Sequence, residues 1–291
     1  LWQAHGMEFY GQCSFMKGGL VFADYITTVS PGYAREICYA PGGMGLEGLL
    51  SARREALVGI LNGIDMDTWN PATDPHLEHN YDVDAVDGKA LNKSALQRDL
   101  GLALRDDLPL VGFIGRLVEQ KGLELILPVL QEMLWAPAQF VLLGTGDPRY
   151  EQWLREIADS NGESMAVVLA YNESLAHRIE AAADIFLMPS LFEPCGLNQL
   201  YSLRYGTLPL VRAVGGLADT VVDTDAESLA ADTATGFVFS RPEPGELLET
   251  MRRAIALWHE REPWGQVQRN AMQQDFSWQQ SARRYMELYR S

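Results

Sequence analysis

From residue 110 onward, apolar residues come in short unbroken runs. Between the runs they recur every three or four positions. The runs Leu110–Gly115, Phe140–Leu143, Ala166–Ala170, Ile185–Met188 and Leu208–Val211 each predict a buried strand, and Gly236–Phe239 predicts a sixth. The amphipathic stretches Leu123–Leu134, Tyr150–Ala158, Leu175–Ala183 and Gly196–Tyr205 predict the helices between them. Strands that are apolar throughout are buried on both faces. Strands alternating with helices form βαβ units, so the pattern predicts an α/β protein with a parallel sheet covered on both sides. Upstream, Lys89–Leu100 reads as a helix stopped by Gly101. The tail from Glu246 to Ser291 reads as helical, with breaks at Pro263 and around Phe276.

The character of the chain changes near residue 62. Gly6 to Leu61 mixes apolar helix-like stretches with Gly-rich turns, and the chain shows no internal repeat. Asp65 to Pro75 is polar, rich in turn residues and interrupted twice by proline, which predicts a surface connection.

Composition narrows the function. The chain has 291 residues, 47% hydrophobic and 21% charged, with Gly and Pro dispersed, so neither a collagenous nor a low-complexity chain fits. No apolar run reaches the roughly 18 residues of a membrane helix. The first residues lack the basic and apolar regions of a signal peptide, and there is no initiator Met. The net charge of −16 argues against DNA or RNA as a partner. A smaller anionic ligand would need a local group of Arg and Lys against that field. Cys13, Cys38 and Cys195 are odd in number and far apart, forming neither a disulfide framework nor a metal knuckle, so a reducing cytoplasmic setting is expected. The sequons at Asn92 and Asn172 then read as chance.

In a doubly wound sheet, ligands bind outside the carboxyl ends of the strands. Here the strand-to-helix turns carry chemistry. The first, Gly115 to Gly122, holds Arg116 and Lys121. The second is Gly144-Thr145-Gly146-Asp147-Pro148. The third begins with Tyr171. The fourth runs from Pro189 to Leu197 and holds Glu193, with no cation in its own turn. The fifth is Ala213-Val214-Gly215-Gly216-Leu217. Glycines at helix starts let backbone N–H groups approach an anion. Arg116 and Lys121 would neutralise a diphosphate, Arg as a fork and Lys as a point charge. Glu193 suits hydrogen bonding to sugar hydroxyls, and Tyr171 suits stacking on a planar base. Each feature alone has a plainer reading, as a solvated charge, a turn glycine or a packed aromatic. Their common sheet edge favours a cradle for a phosphorylated ligand.

Several segments resemble bacterial glycogen synthase and plant starch synthase. They are Gly115-Arg116-Leu117 with Gln120-Lys121-Gly122, Gly144 to Pro148, Phe192-Glu193-Pro194-Cys195-Gly196-Leu197-Asn198-Gln199-Leu200-Tyr201, Tyr205 to Arg212, and Gly215 to Val221. Val29-Ser30-Pro31, Tyr33 to Ile37, Gly45 to Leu50, Leu61 to Asp65 and Asp275 to Trp278 extend the resemblance over essentially the whole chain. The resemblance implies a GT-B arrangement of two Rossmann-like domains and glucose transfer from ADP-glucose to the non-reducing end of an α-1,4-glucan, glycogen or starch. It further implies retention at the anomeric carbon, no metal or other cofactor, no membrane partner, and a cytoplasmic location, or a plastid for a plant chain. Residue by residue, it implies that Arg116 and Lys121 bind the donor diphosphate, that Glu193 lies beside the transferred glucose, and that Tyr171 lies near the adenine. Gly215, Gly216 and Leu217 correspond to a backbone loop at phosphate and sugar, Asn62 to a polar residue at the domain crossing, and Gly144, Cys195, Gly196 and Leu197 to further donor contacts.

Two departures stand out. The wider retaining GT-B pattern has a second Glu where Tyr201 stands. The family's Lys-x-Gly-Gly-Leu loop and catalytic-site His are expected upstream of this chain. Lys17-Gly18-Gly19-Leu20 lacks the intervening residue, so Lys17 reads as structural. His5, His76, His79, His177 and His259 match no motif, and none is assigned to catalysis. The expected organisation is therefore residues 1–61 as the remnant of an acceptor-side domain, 62–275 as a complete nucleotide-sugar domain, and 276–291 as a helix packing back toward the first. Residues 1–61 are expected to be poorly ordered, partner-bound or aggregation-prone alone, and 62–275 to fold independently. The alternatives are a GT-B transferase using another nucleotide sugar, and an inactive nucleotide- or glucan-binding fragment. A glucan phosphorylase would need a pyridoxal-phosphate lysine, for which there is no motif.

Overall fold

The computed structural model describes Gln3 and residues 6–291, so His5 lies outside the described residues. Four short strands come first. β1 (Glu8–Phe9) and β2 (Gln12–Cys13) form an antiparallel hairpin, and β3 (Ile26–Thr28) pairs in parallel with β4 (Leu57–Gly59). Lys17, in the helix Phe15–Phe22, donates to the Glu8 carbonyl of that hairpin.

The main sheet has six parallel strands, β5 (Leu110–Ile114), β6 (Gln139–Leu143), β7 (Met165–Val168), β8 (Ile185–Met188), β9 (Leu208–Arg212) and β10 (Phe237–Phe239). Their spatial order is β7-β6-β5-β8-β9-β10. Counting within the sheet, that is 3-2-1-4-5-6, the doubly wound order whose direction reverses between β5 and β8. The unbroken apolar runs are explained by burial on both faces. Val111 and Phe113 join the core under the helices Pro244–Trp258 and Arg261–Met272. Leu110, Val141 and Leu143 point the other way, against Leu96 and Ile179 of the helices Asp87–Leu100 and Glu173–Ala182. Each fully buried Leu or Ile contributes roughly 1.5–3 kcal/mol.

Strand positions follow the apolar runs to within two residues. The helices differ in instructive ways. The expected helix Leu123–Leu134 is divided into Leu123–Ile126, a 3-10 turn Leu127–Val129, and Leu130–Trp135. Pro128 lacks the N–H that a continuous helix needs there. Conversely, Pro263 breaks nothing. It sits in the first turn of Arg261–Met272, where N–H groups have no intrahelical partner anyway, and the break falls at His259–Glu260. Pro148 likewise opens the helix Pro148–Ser160 behind its cap Asp147.

Two sets of contacts fasten the chain's ends to this sheet domain. The final helix Trp278–Arg290 meets the crossing segment, where Ser281 Oγ donates to Leu61 O at 2.6 Å and Ile64 N–H donates to Phe276 O at 2.9 Å. The helix Pro31–Glu36 meets the short helix Gly215–Thr220. There Gly32 N–H donates to Asp219 Oδ2 at 2.5 Å, Arg35 pairs with Asp219 Oδ1 at 3.5 Å, and Gly215 N–H donates to Glu36 Oε1 at 2.7 Å.

Candidate functional site

The reversal between β5 and β8 opens a crevice at their carboxyl ends. The turn after β5 carries Arg116 and Lys121, and the turn after β8 carries Glu193. Their adjacency in the sheet brings two turns far apart in sequence side by side. Lys121 Nζ lies 2.6 Å from Glu193 Oε2. Ser190 Oγ donates to the same oxygen at 3.1 Å. Glu193 has no cation in its own turn, and the first turn supplies one. Arg116 is exposed, with Nη2 donating to Gln120 Oε1 at 3.3 Å. Gln120 in turn donates to Phe192 O at 3.1 Å, a further tie between the turns.

The second turn runs alongside the first. Gly115 N–H donates to Leu143 O and Leu117 N–H to Thr145 O, each at 3.0 Å. With Trp69, Tyr171 and Tyr201, the residues Arg116, Gly144 and Thr145 line a cleft of about 450 Å³. Tyr171 is 89% exposed at its rim. It is therefore no packed core aromatic, and its ring faces are open to a planar ligand.

The glycines of these turns serve close packing. A Cβ on Gly215 would lie 2.0 Å from Glu193 O, and one on Gly216 would lie 2.0 Å from Cys195 O. Gly215 also has φ +43°, the left-handed region. Their N–H groups are engaged within the protein, Gly215 by Glu36 and Gly216 by Glu193 O at 3.0 Å. Leu217 N–H donates to Val214 O and Gly144 N–H to Val168 O. Close approach, rather than open donors, thus accounts for glycine at 215 and 216.

Cys195 is buried. Burial pushes its thiol up, against the backbone N–H of Asn62, which faces the sulfur. Gly196 and Leu197 follow it into the helix Asn198–Arg204, which begins two residues later than the pattern suggested because Gly196 has φ +70°. The structure therefore gathers Arg116, Gly144 and Tyr171 around one cleft, with the Lys121–Glu193 pair joined to it through Gln120. Asn62 reaches Cys195 by its backbone but lines a different cleft, with Asp275 and Ser281.

Sequence reasoning missed Trp69 and its surroundings. The indole stacks between Tyr201, at 3.7 Å between centroids, and His177, at 3.8 Å. Behind it, His177 Nδ1 lies 2.8 Å from Asp74 Oδ2, and Tyr205 OH donates to the same oxygen at 2.5 Å. Burial alone would raise the Asp74 carboxyl. The hydrogen bonds from His177 and Tyr205 outweigh it and hold the group below its ordinary value. The only hint in sequence was a Trp and an Asp inside an otherwise polar connection. Among the described residues, no group of three or more His, Cys, Asp or Glu side chains is arranged to hold a metal ion. None of their helices is long and apolar enough to cross a membrane.

With this geometry in view, the relatives are informative. Residues 1–52 match the starch synthase catalytic domain model, and residues 100–271 match the model for glycosyl transferases group 1. A glycogen synthase from Cellvibrio japonicus is 54% identical over 288 residues, which is 99% of this chain and 60% of the relative. Glycogen synthase 1 from Methylococcus capsulatus is 53% identical over 290 residues, which is 100% of this chain and 59% of the relative. The chain thus spans about 60% of the length of these curated relatives. Among solved structures, the catalytic domain of starch synthase IV from Arabidopsis thaliana, bound to ADP and acarbose, superposes with a TM-score of 0.91 at 39% identity. That match covers 98% of this chain and 59% of the other. A sucrose-phosphate synthase from Thermosynechococcus elongatus, at 21% identity and TM-score 0.62 over 94% of this chain and 60% of its own, shares the fold.

Proposed function

Since the chain belongs to the group 1 glycosyl transferases and stands among their glycogen and starch synthases, we propose that it carries the donor-binding half of an ADP-glucose-dependent α-1,4-glucan glucosyltransferase that retains anomeric configuration. One observation carries this reading. Lys121 from the turn after β5, which also carries Arg116, meets Glu193 from the turn after β8 at the point where the sheet reverses.

The chemistry follows from the residue types. Arg116 and Lys121 neutralise the diphosphate and stabilise ADP as it departs, a role that needs no metal or other cofactor. Glu193 accepts hydrogen bonds from glucose hydroxyls. Tyr171 stacks on the adenine. Lys121 sits between its carboxylate partner and the diphosphate, so donor binding redistributes an existing ion pair. Gly196, Leu197 and Leu217 bound the sugar side, and Asn62 at the crossing supports that turn through its backbone contact with Cys195. The glucan acceptor, glycogen or starch, approaches from the first domain, and the reaction takes place in the cytoplasm or, in a plant, the plastid.

Calorimetric titration of ADP-glucose into the chain tests this. Loss of one charged hydrogen-bonding partner is worth roughly tenfold to a hundredfold in affinity, so Arg116→Ala and Lys121→Ala should each weaken ADP by about that factor. If both variants bind ADP as tightly as the parent, the cradle assignment fails. Tighter binding of UDP or GDP than of ADP would redirect the reading to another nucleotide sugar. Glucose transfer to glycogen, measured alongside, reports whether this length of chain suffices for turnover.

A further inference from the structure

We propose that Arg212 is a positioning residue for Glu193, holding the carboxylate-bearing turn in the shape that presents Glu193 to the donor sugar. The inference rests on the reading of Glu193 given above.

Its basis is how the turn after β8 is held. Six consecutive backbone carbonyls, from Ser190 to Cys195, each accept a hydrogen bond from a group outside the stretch. Arg212 Nε donates to Ser190 O at 2.9 Å, and Arg212 Nη2 donates to Leu191 O. Gln120 Nε2 takes Phe192 O, Gly216 N–H takes Glu193 O, Ser30 Oγ takes Pro194 O, and Gln199 Nε2 takes Cys195 O. A turn of irregular shape has no ladder of its own, and its backbone groups need partners when buried. Here the partners come from five places in the chain, so they fix a conformation that the turn's own sequence does not.

Arg212 differs from the other donors. It is the charged donor among them, and it holds two successive carbonyls at the start of the turn, as Gln199 does with Cys195 O and Gly196 O at its end. Its position is set by β9, whose last residue it is. A planar fork donating in two fixed directions suits two neighbouring carbonyls, and a lysine ammonium offers no such plane. The side chain is half-buried, and burial holds its pKa below the usual arginine value, against the field of Glu36. These hydrogen bonds from a partly desolvated cation are the strong kind. A relay then reaches the carboxylate. Arg212 holds the Ser190 backbone, and Ser190 Oγ donates to Glu193 Oε2. Releasing Ser190 O therefore loosens both the backbone before Glu193 and the hydroxyl that orients its side chain. Arg212 itself touches none of the groups assigned to the diphosphate, so its influence should fall on the sugar end of the donor.

The test compares two ligands on four proteins, the parent, Arg212→Lys, Glu193→Gln and the double variant, by titration with ADP-glucose and with ADP. Parent binding of ADP-glucose tighter than ADP establishes the sugar contribution. The expected result is that Arg212→Lys lowers ADP-glucose affinity by roughly tenfold, the weight of one charged hydrogen bond, and leaves ADP affinity within about twofold. The double variant should bind ADP-glucose no more weakly than Glu193→Gln alone, because Arg212 acts through Glu193. Amide hydrogen exchange without ligand should accelerate across residues 189–197 in Arg212→Lys and stay unchanged in β6. Equal weakening of both ligands, additive loss in the double variant, or unaltered exchange in that segment would each overturn the proposal. A parent that does not prefer ADP-glucose would instead sink the reading of Glu193, and the role of Arg212 with it. The exchange data would still report whether Arg212 holds the turn.

Discussion

Lys121 Nζ stands 2.6 Å from Glu193 Oε2, although the two residues are 72 positions apart in the chain. The pair closes the crevice between two turns, with the lysine side chain 22% and the glutamate 9% exposed. On the proposed reading, a diphosphate and the glutamate compete for one ammonium. Substitutions on the two sides of the pair should act in opposite directions on ADP. Lys121→Ala should weaken ADP by removing the cation. Glu193→Gln keeps the size, removes the competing charge, and should leave ADP affinity equal or up to several-fold higher, since a nearby like charge opposes an anion. The same variant should erase the advantage of ADP-glucose over ADP. If Glu193→Gln weakens ADP as much as Lys121→Ala does, the pair does not compete with the ligand.

The packing of Gly215 and Gly216 under the Glu193 turn makes a stability prediction. Alanine at either place would set a methyl 2.0 Å from a backbone oxygen, and backbone cannot swing aside as a flexible side chain can. At Gly215, with φ +43°, a left-handed conformation costs a further 1–3 kcal/mol, roughly. Both variants should lower the melting temperature by several degrees. Gly48→Ala and Gly245→Ala are the controls. Both sites are helical with nothing within 4 Å of the new methyl, and alanine there is neutral or gains about 0.5–1 kcal/mol. Equal losses at all four positions would mean that close approach is not what selects glycine at 215 and 216.

The same two glycines show what a sequence can and cannot disclose. Strands buried on both faces are continuous apolar runs, so β5 to β9 could be read directly, and their alternation with helices implied the doubly wound sheet. That sheet puts every strand's carboxyl end at one edge, so Arg116, Lys121, Tyr171, Glu193 and Gly215 could be placed together before any coordinate was known. Which of them touch depends on strand order, which periodicity does not encode. The Lys121–Glu193 pair exists because β5 and β8 are neighbours. The engagement of Gly215 N–H by Glu36 depends on a helix 179 residues away. Trp69 and Asp74 were hidden for the converse reason. Their segment is polar and proline-rich, as a surface connection should be, and its burial comes from the helices that hold His177, Tyr201 and Tyr205. Arg212, one residue past the expected strand Leu208–Val211, gave no sign of its role because its partners are carbonyls, which leave no mark in sequence.

Trp69 carries a prediction of its own. Its ring fills the space between His177 and Tyr201, and it lines the same cleft as Tyr171. Trp69→Ala should destabilise the protein by up to about 3 kcal/mol, the low end for aromatic truncation because the site is half-buried. Trp69→Phe retains a stacking ring and should recover most of that loss. Denaturant unfolding measures both. The alanine variant should also weaken ADP, because Tyr201 loses the surface that holds it at the cleft. Tyr171→Ala should weaken ADP with almost no change in stability, since that ring is exposed. A Trp69→Ala protein as stable as the parent would show that the stack is incidental.

The buried pair of ionisable groups behind the site, Glu180 and Lys89, gives a pH dependence whose sign can be worked out. Burial pushes the Glu180 carboxyl up to about 8, with the Ser202 hydroxyl and Lys89 acting the other way, and burial pushes Lys89 down to about 7. Between its ordinary value of 4.5 and about 8, folded Glu180 keeps a proton that the unfolded chain has released. The folded state binds more protons, so this group's contribution is fully present at low pH and is lost as pH rises through that window. Lys89 runs the other way. From about 7 to 10.5 the unfolded chain holds the extra proton, and stability rises with pH. Glu180→Gln removes the first slope and leaves the second. The difference in melting temperature, variant minus parent, should therefore grow from pH 5 to pH 8 and level off above it. The comparison across pH cancels any fixed cost of placing an amide beside Ser202. A difference that stays constant or shrinks over that range would show that Glu180 is ionised in the folded protein, with the field of Lys89 and the Ser202 hydroxyl outweighing burial.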